Sequence, residues 1–223
     1  MTRLLRLVDS DPADGPFGAL APPHRLPHGR HGIPANVVLE HQRQRLLTGM
    51  AEALVKHGYA NVTTTLVSKC AGISSGTFYK HFGNLWDCLL AAYVATGDRL
   101  CERIEAACAE RDPRSAPLAV GIEAALACFS AEPASAVLLS TQPPREGIAV
   151  AAARRRLIAR LATMLRDSRD PGDEAIRPPG LDERMIDATL SFIGARVTGS
   201  EAERLAELGP ELSAILAGAQ RAA

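Results

Sequence analysis

Aromatic residues make up only 4 % of this 223-residue chain, and its 25 Lys and Arg are balanced by 25 Asp and Glu. The shortage of aromatics, with no strictly alternating β-branched run, argues against sheets and leaves an all-helical chain dominated by alanine and leucine. No stretch approaches the ~20 apolar residues that a membrane span needs. Met1–Ser10 carries arginines but no apolar core of a secretion signal. A cytoplasmic location with no membrane partner is therefore expected. The five cysteines, Cys70, Cys88, Cys101, Cys108 and Cys128, are odd in number and lack C-x-x-C spacing, which reads as reduced core thiols. There is no Walker glycine loop, no H-E-x-x-H and no G-x-S-x-G, so neither an enzyme nor a cofactor is expected. His24, His28 and His31 have no cysteine or carboxylate partners at fixed spacing, and no metal site is expected there.

The zero net charge argues at first against nucleic acid, but the charge is unevenly placed. Between residues 20 and 81 stand seven basic residues and two acidic ones, +5, together with all six histidines; from Phe82 onward there are 16 basic and 20 acidic residues, −4. A basic head on an acidic body suits one DNA-facing domain attached to a domain with another task.

Within the head, the segment Thr63–Phe82, TTTLVSKCAGISSGTFYKHF, reads as two short helices around a tight turn. Thr63 is a candidate N-cap, and Leu66, Val67, Cys70 and Ala71 recur at helical spacing. Ser68 is small enough for a close helix crossing. Gly72 supplies the positive φ that a sharp turn requires, Ile73 fills the angle, and Ser74 caps a second helix running through Phe82. Phe78 and Phe82, four apart, form its buried side. Its outer face carries Ser, Gly, Thr and Tyr, mediocre helix formers that suit close approach to phosphates and base edges. An ordinary hairpin with a solvated face would carry Glu, Lys and Gln instead. A helix over Val37–His57, with Leu46, Leu47, Met50, Ala53 and Leu54 as its inner stripe and Gly58 as its terminator, props this pair. Arg43 and Arg45 on that helix are candidates for phosphate contacts or for a solvated face.

Residues 42–92 resemble the DNA-binding domain of TetR-family transcriptional regulators. The resemblance rests on HGY (His57–Tyr59), the Thr63 cap, AGIS (Ala71–Ser74) and GTFYKHF (Gly76–Phe82). It implies that Ser75, Gly76, Thr77, Tyr79, Lys80 and His81 meet DNA, with Thr63 and Thr65 at the backbone. In one respect the chain departs from the family: where a lysine usually follows the HF pair by three residues and reaches a phosphate, it has Leu85, then Trp86.

Residues 1–35, rich in Pro, Gly, Asp and His, are expected to form a flexible arm. Arg25 and Arg30 are placed to seek an adjacent minor groove; a solubilising tail is the other reading. Residues 36–83 then form the three-helix, helix-turn-helix domain and residues 84–223 a helical effector-binding and dimerisation domain. The body's helices are expected at Asn84 to Glu110, about 116–130, 133–140, 145–169, 181–198 and 201–219, with a surface loop at 170–180. That makes about nine helices in all, the number the resemblance implies. Arg154, Arg155 and Arg156 cannot all face one pocket and are expected on a solvated face.

The resemblance further implies a homodimer through the last two helices, with Met185, Thr189, Phe192 and Ile193 on one and Leu205, Leu208, Leu212 and Ile215 on the other; intramolecular core is the alternative for each. A dimer is also demanded by physics, since one short recognition helix reads few base pairs and two half-sites of a palindromic operator supply useful affinity on double-stranded DNA. By resemblance, the body encloses a small-molecule effector that releases the operator, making the chain a repressor. A regulator without such an effector, an activator or one under protein control, is the alternative. The aliphatic composition suggests a moderately apolar effector and does not name it.

Overall fold

The computed structural model describes residues 34–141, 147–168, 178–198 and 202–218. Among them are nine α-helices and two 3-10 segments, and no strand. Helix α1 spans Ala35–His57, α2 Thr64–Ala71 and α3 Ser75–His81; α4 runs over Leu85–Glu110, α5 over Pro117–Ala131, α6 over Pro133–Ser140, α7 over Ile148–Asp167, α8 over Leu181–Thr198 and α9 over Gly209–Gly218. Tyr59–Asn61 and Ala202–Leu208 are the 3-10 segments. The expected arm, with Arg25 and Arg30, lies outside the described residues, as does most of the expected loop at 170–180.

The head is built on α1, whose predicted inner stripe is fully buried. Helix α2 crosses α1 so closely that a Cβ on Gly49 would sit 2.7 Å from the Ala71 nitrogen and 2.9 Å from the Val67 oxygen. The small residue that permits this approach is Gly49 on α1, with Ser68 buried beside it on α2.

Helix α4, 26 residues and roughly 39 Å long at 1.5 Å per residue, begins four residues after α3 ends and forms the spine of the body. Its buried residues Leu89, Ala92, Tyr93, Thr96, Gly97, Leu100 and Cys101 follow helical spacing. Beside it α7 runs parallel: Leu157 abuts Gly97, and Arg160 pairs with Asp98 and Glu105. Helices α5 and α6 are almost wholly apolar and break at Glu132–Pro133. No single described helix is long and apolar enough to cross a membrane; the α5–α6 pair qualifies together by composition but bends through 110° and supplies core residues such as Leu126, Phe129, Leu138 and Leu139. Because α6 also packs against α1 and α8, the head rests on the body through α4 and α6.

Three sequence expectations are corrected. Helix α7 begins at Ile148, after Gly147, and not at Arg145. The last helix is not continuous: a 3-10 segment precedes α9, and the change falls at Gly209–Pro210, where proline removes a donor and restricts the residue before it. Arg154 is not solvated. It is 4 % exposed, whereas Arg155 and Arg156 point outward. The five cysteines are free thiols, and burial pushes Cys88 up to about 12 and Cys101 up to about 11, far from thiolate chemistry.

Candidate functional site

The helix-turn-helix assembles from local signals. The Thr63 hydroxyl accepts from the Leu66 N–H at 3.3 Å, and α2 then ends at Gly72 in the left-handed region, φ 60°. The Arg45 guanidinium crosses from α1 to donate to the Gly72 carbonyl at 3.0 Å, so Arg45 braces the turn from behind. Ser74 caps α3, accepting from the Thr77 N–H at 3.1 Å, and its hydroxyl lies 2.9 Å from that of Thr77. Phe78 is fully buried and Phe82 nearly so, their ring centroids 5.8 Å apart. Arg43 lies over the Phe82 ring at 5.5 Å, a cation–π contact that draws it toward the head's own core.

The opposite face of α3 is open. Ser75, Gly76, Tyr79 and Lys80 are exposed and Thr77 is half-buried, with Thr63 and Thr65 exposed at the start of α2. Tyr79, 57 % exposed, is held edge-on against Phe78 and its hydroxyl lies 3.4 Å from that of Thr64. Thr64 was not singled out from the sequence, although three successive threonines at a helix start mark the place. His81 shares its Nε2 with the Gln42 side chain at 3.1 Å, and burial, followed by the nearby Arg43 charge, lowers its pKa. Burial thus favours the neutral ring, and one of its two nitrogens is engaged with α1.

The start of α4 follows the same capping logic. Asn84 accepts from the Asp87 N–H and donates to the Asp87 carboxylate, both at 3.0 Å. Leu85, which stands where a lysine is usual, is half-buried against the core. A carboxylate at Asp87 thus occupies the first turn that the missing lysine would have made attractive to phosphate.

Behind this surface lies a buried polar node. Arg154 donates to the Leu139 carbonyl at 2.6 Å and pairs with Asp187 on α8; the Tyr93 hydroxyl donates to the same carbonyl at 3.4 Å. The Tyr59 hydroxyl, in the 3-10 turn that follows α1, is buried. Its pKa is raised by burial and then by neighbouring Tyr93, with Arg154 acting in the opposite sense. Head, α4, α6, α7 and α8 therefore meet around one guanidinium.

Farther along α4, a cavity of about 460 Å³ opens between α4, α5, α7, α8 and α9. Leu100, Ile104, Leu118, Leu126, Phe129 and Leu161 are among its apolar walls, while Glu105, Arg111, Asp167 and Ser168 lie toward the far ends of α4 and α7. Of the expected dimer residues, Ile193, Leu205 and Leu212 are buried within the protomer. They belong to its own core, the alternative reading for each; Thr189 and Ile193 line the cavity. Phe192 and Ile215 are exposed, and Met185, Thr189 and Leu208 are half-buried.

Residues 46–92 match the family described as "Bacterial regulatory proteins, tetR family". No curated protein matches the chain. Among solved structures, it is similar to the fatty acid degradation regulator FadR from Bacillus halodurans, at 18 % identity over 79 % of this chain and 95 % of that one, TM-score 0.66. It is also similar to FadR from Bacillus subtilis, solved in complex with stearoyl-CoA, at 17 % identity over 78 % and 96 %, TM-score 0.65. A TetR-like transcriptional regulator from Rhodococcus sp. RHA1 is 23 % identical over 83 % and 99 %, TM-score 0.56. At these identities the structural likeness speaks to fold, while the family match falls on the helix-turn-helix whose geometry is described above. Residues 46–92 thus carry the helix-turn-helix domain of the TetR family of DNA-binding transcriptional regulators, within a fold shared with solved regulators of that family.

Proposed function

We propose that the protein is a homodimeric repressor that leaves a palindromic operator when a small apolar effector fills its body. The observation that carries this reading is the placement of the cavity. Its walls include Leu100, Ile104 and Cys108 of α4, the same rigid helix whose first residue follows the recognition helix by four positions. A ligand that displaces the far half of α4 tilts the near half, and with it the spacing of two recognition helices. A cavity that size is what a regulator with an effector needs and what one controlled only by a protein partner does not. The stearoyl-CoA complex of the Bacillus subtilis neighbour supports an effector with a long apolar part.

In this reading residues 1–35 are the arm, 36–83 the DNA-binding domain and 84–223 the effector and dimerisation domain. Ser75, Gly76, Thr77, Tyr79 and Lys80 face the major groove, and Thr63, Thr64 and Thr65 the phosphates beside it. His81 takes part through the nitrogen not bonded to Gln42. Ala188, Ser191, Phe192 and Ala195 lie exposed along α8, and Ala214 and Ile215 along α9. These small and apolar residues are the surface offered to a second copy.

The test begins with duplexes selected by the purified protein from a random pool. Tyr79→Ala combined with Lys80→Ala abolishes binding to the selected site while the oligomer and its thermal melt are retained. Binding that survives at moderate salt refutes the assignment of α3. An operator complex that contains one chain, and not two, refutes the dimer.

A further inference from the structure

Helices α8 and α9 each turn one side to the cavity and another to the surface offered to a second copy. On α8, Thr189, Leu190 and Ile193 line the cavity, while Ala188, Phe192 and Ala195 are exposed. On α9, Leu212 and Leu216 line it, while Ala214 and Ile215 are exposed. The helical period makes this division, since residues three or four apart share a side and their sequence neighbours turn away. A single layer of helix thus stands between a bound effector and a second chain.

The two helices are not held alike. Helix α8 is fastened away from the cavity: Asp187 pairs with Arg154, and α8 crosses α6 so closely that a Cβ on Gly194 would overlap the Ser140 side chain. Helix α9 packs mainly on α5 and on the 3-10 segment before it. At ten residues it is too short to stand by propensity alone. Among its described residues, the buried side chains are those of Leu212 and Leu216, 4 % and 3 % exposed, and both belong to the cavity wall. Where these leucines face about 460 Å³ of cavity, they have no protein atoms to pack against. An apolar occupant therefore adds contacts to the residues that hold α9 in place.

We infer that the effector also tightens the dimer: filling the cavity fixes α9, and with it Ala214 and Ile215, so the form that leaves the operator is a longer-lived dimer and not a pair of monomers. This rests on the effector and dimer readings above and deepens them. A second chain that meets an α9 already held in place does not have to order it, and that saving appears as affinity. By reciprocity, the dimer binds the effector more tightly than the monomer does, by the same factor. Operator release then comes from the spacing of the two recognition helices, which a firmer dimer keeps at the wrong distance.

Three measurements on the full-length protein test it, with 1-decanol as the probe of the cavity. Sedimentation gives the oligomer, calorimetry gives decanol binding, and subunit exchange between donor- and acceptor-labelled pools gives the lifetime of the dimer. Saturating decanol should slow exchange about tenfold. Leu216→Ala shortens a side chain buried inside the protomer; it should quicken exchange and cut the response to decanol to about twofold. Leu212→Val makes the same test more gently if that variant does not fold. Ile215→Ala, on the exposed side of α9, should quicken exchange and keep the full response, because it removes a contact between chains and not the link to the cavity. Exchange that bound decanol leaves unchanged or quickens overturns the inference while both earlier readings stand. A folded Leu216→Ala variant that responds as the parent does overturns it too. A chain that sediments as a monomer at every concentration removes the dimer reading, and one that binds no decanol removes the apolar effector; the inference falls with either.

Discussion

The helices at and just after the turn start differently from those farther into the body. From Thr63 to Asn84, three successive helices are opened by a side chain that accepts a backbone N–H: Thr63, Ser74 and Asn84. In the body, α5, α6 and α7 follow Ala116, Glu132 and Gly147 with no side-chain cap, and two of the three place proline in the first turn. Helices α2 and α3, of eight and seven residues, are too short to stand by propensity, and a cap holds each at its start. The body helices α5, α6 and α7, the eight-residue α6 included, are held by the apolar surface they share. The head is thus locally determined and stiff, which suits a part that presents side chains at fixed spacing. The body is determined by long-range packing, and its packing leaves room for a ligand.

That contrast can be broken by mutation. The largest effect is expected from Phe78→Ala, which removes a fully buried ring and should cost about 3–5 kcal/mol, read as a lower denaturation midpoint. Leu126→Ala, equally buried but beside an existing cavity, should fall near the bottom of the roughly 2–5 kcal/mol range for such truncations. Equal losses at the two sites would show that the body is packed as tightly as the head. Next comes Gly49→Ala. Its Cβ would meet backbone atoms of α2 at 2.7 and 2.9 Å, so α1 and α2 must part, at about 1–3 kcal/mol; operator affinity should drop with stability, whereas a neutral substitution would show that the crossing is slack.

Arg154→Leu leaves the Leu139 carbonyl with only the longer bond from Tyr93 and takes the guanidinium from Asp187. Asp187 is 41 % exposed, so solvent moderates the loss to about 1–3 kcal/mol. It should also loosen head from body, seen as two melting steps where the parent shows one; a single unshifted step would make the node ornamental. Leu85→Lys should restore a phosphate contact, raising operator affinity a few-fold and steepening its salt dependence by roughly one counterion per half-site. An unchanged slope would mean that Asp87 already cancels the charge. The smallest effect is a pH dependence. Because the folded pKa of His81 is lowered, the unfolded chain takes up the proton first. The stability tied to this ring is complete above pH ~6.5 and is lost as pH falls through the lower, folded value. Thermal melts should show a slight acid-side loss that His81→Gln removes.

The same division explains how much could be read from residues alone. Thr63, Gly72 and Ser74 act within a few positions of themselves, so caps and turn were recognisable before any fold was known. Body boundaries are recognisable where proline stands, at 113 and 133. The true start of α7 and the break before α9 depend on what packs against them. Arg154 shows the limit most plainly: nothing in a run of three arginines says which is buried, because its partners lie 15 and 33 residues away. His81, Arg43 and Arg45 teach the converse. Their basic character suggested DNA, yet each is engaged with the head itself, through Gln42, the Phe82 ring and the Gly72 carbonyl. Gly49 could not be singled out because a glycine inside a helix announces a close approach without naming the partner.

One consequence of the Arg154 node concerns divergence. One of its two bonds goes to a main-chain oxygen, that of Leu139, and Tyr93 donates to the same atom. A carbonyl is present whatever side chain occupies that position. Helix α6 is thus free to change its sequence, and with it the surface it presents toward α1 and α8, while keeping its hold on the guanidinium. A lineage can in this way retune how its domains meet, one neutral step at a time, without losing the joint that links them.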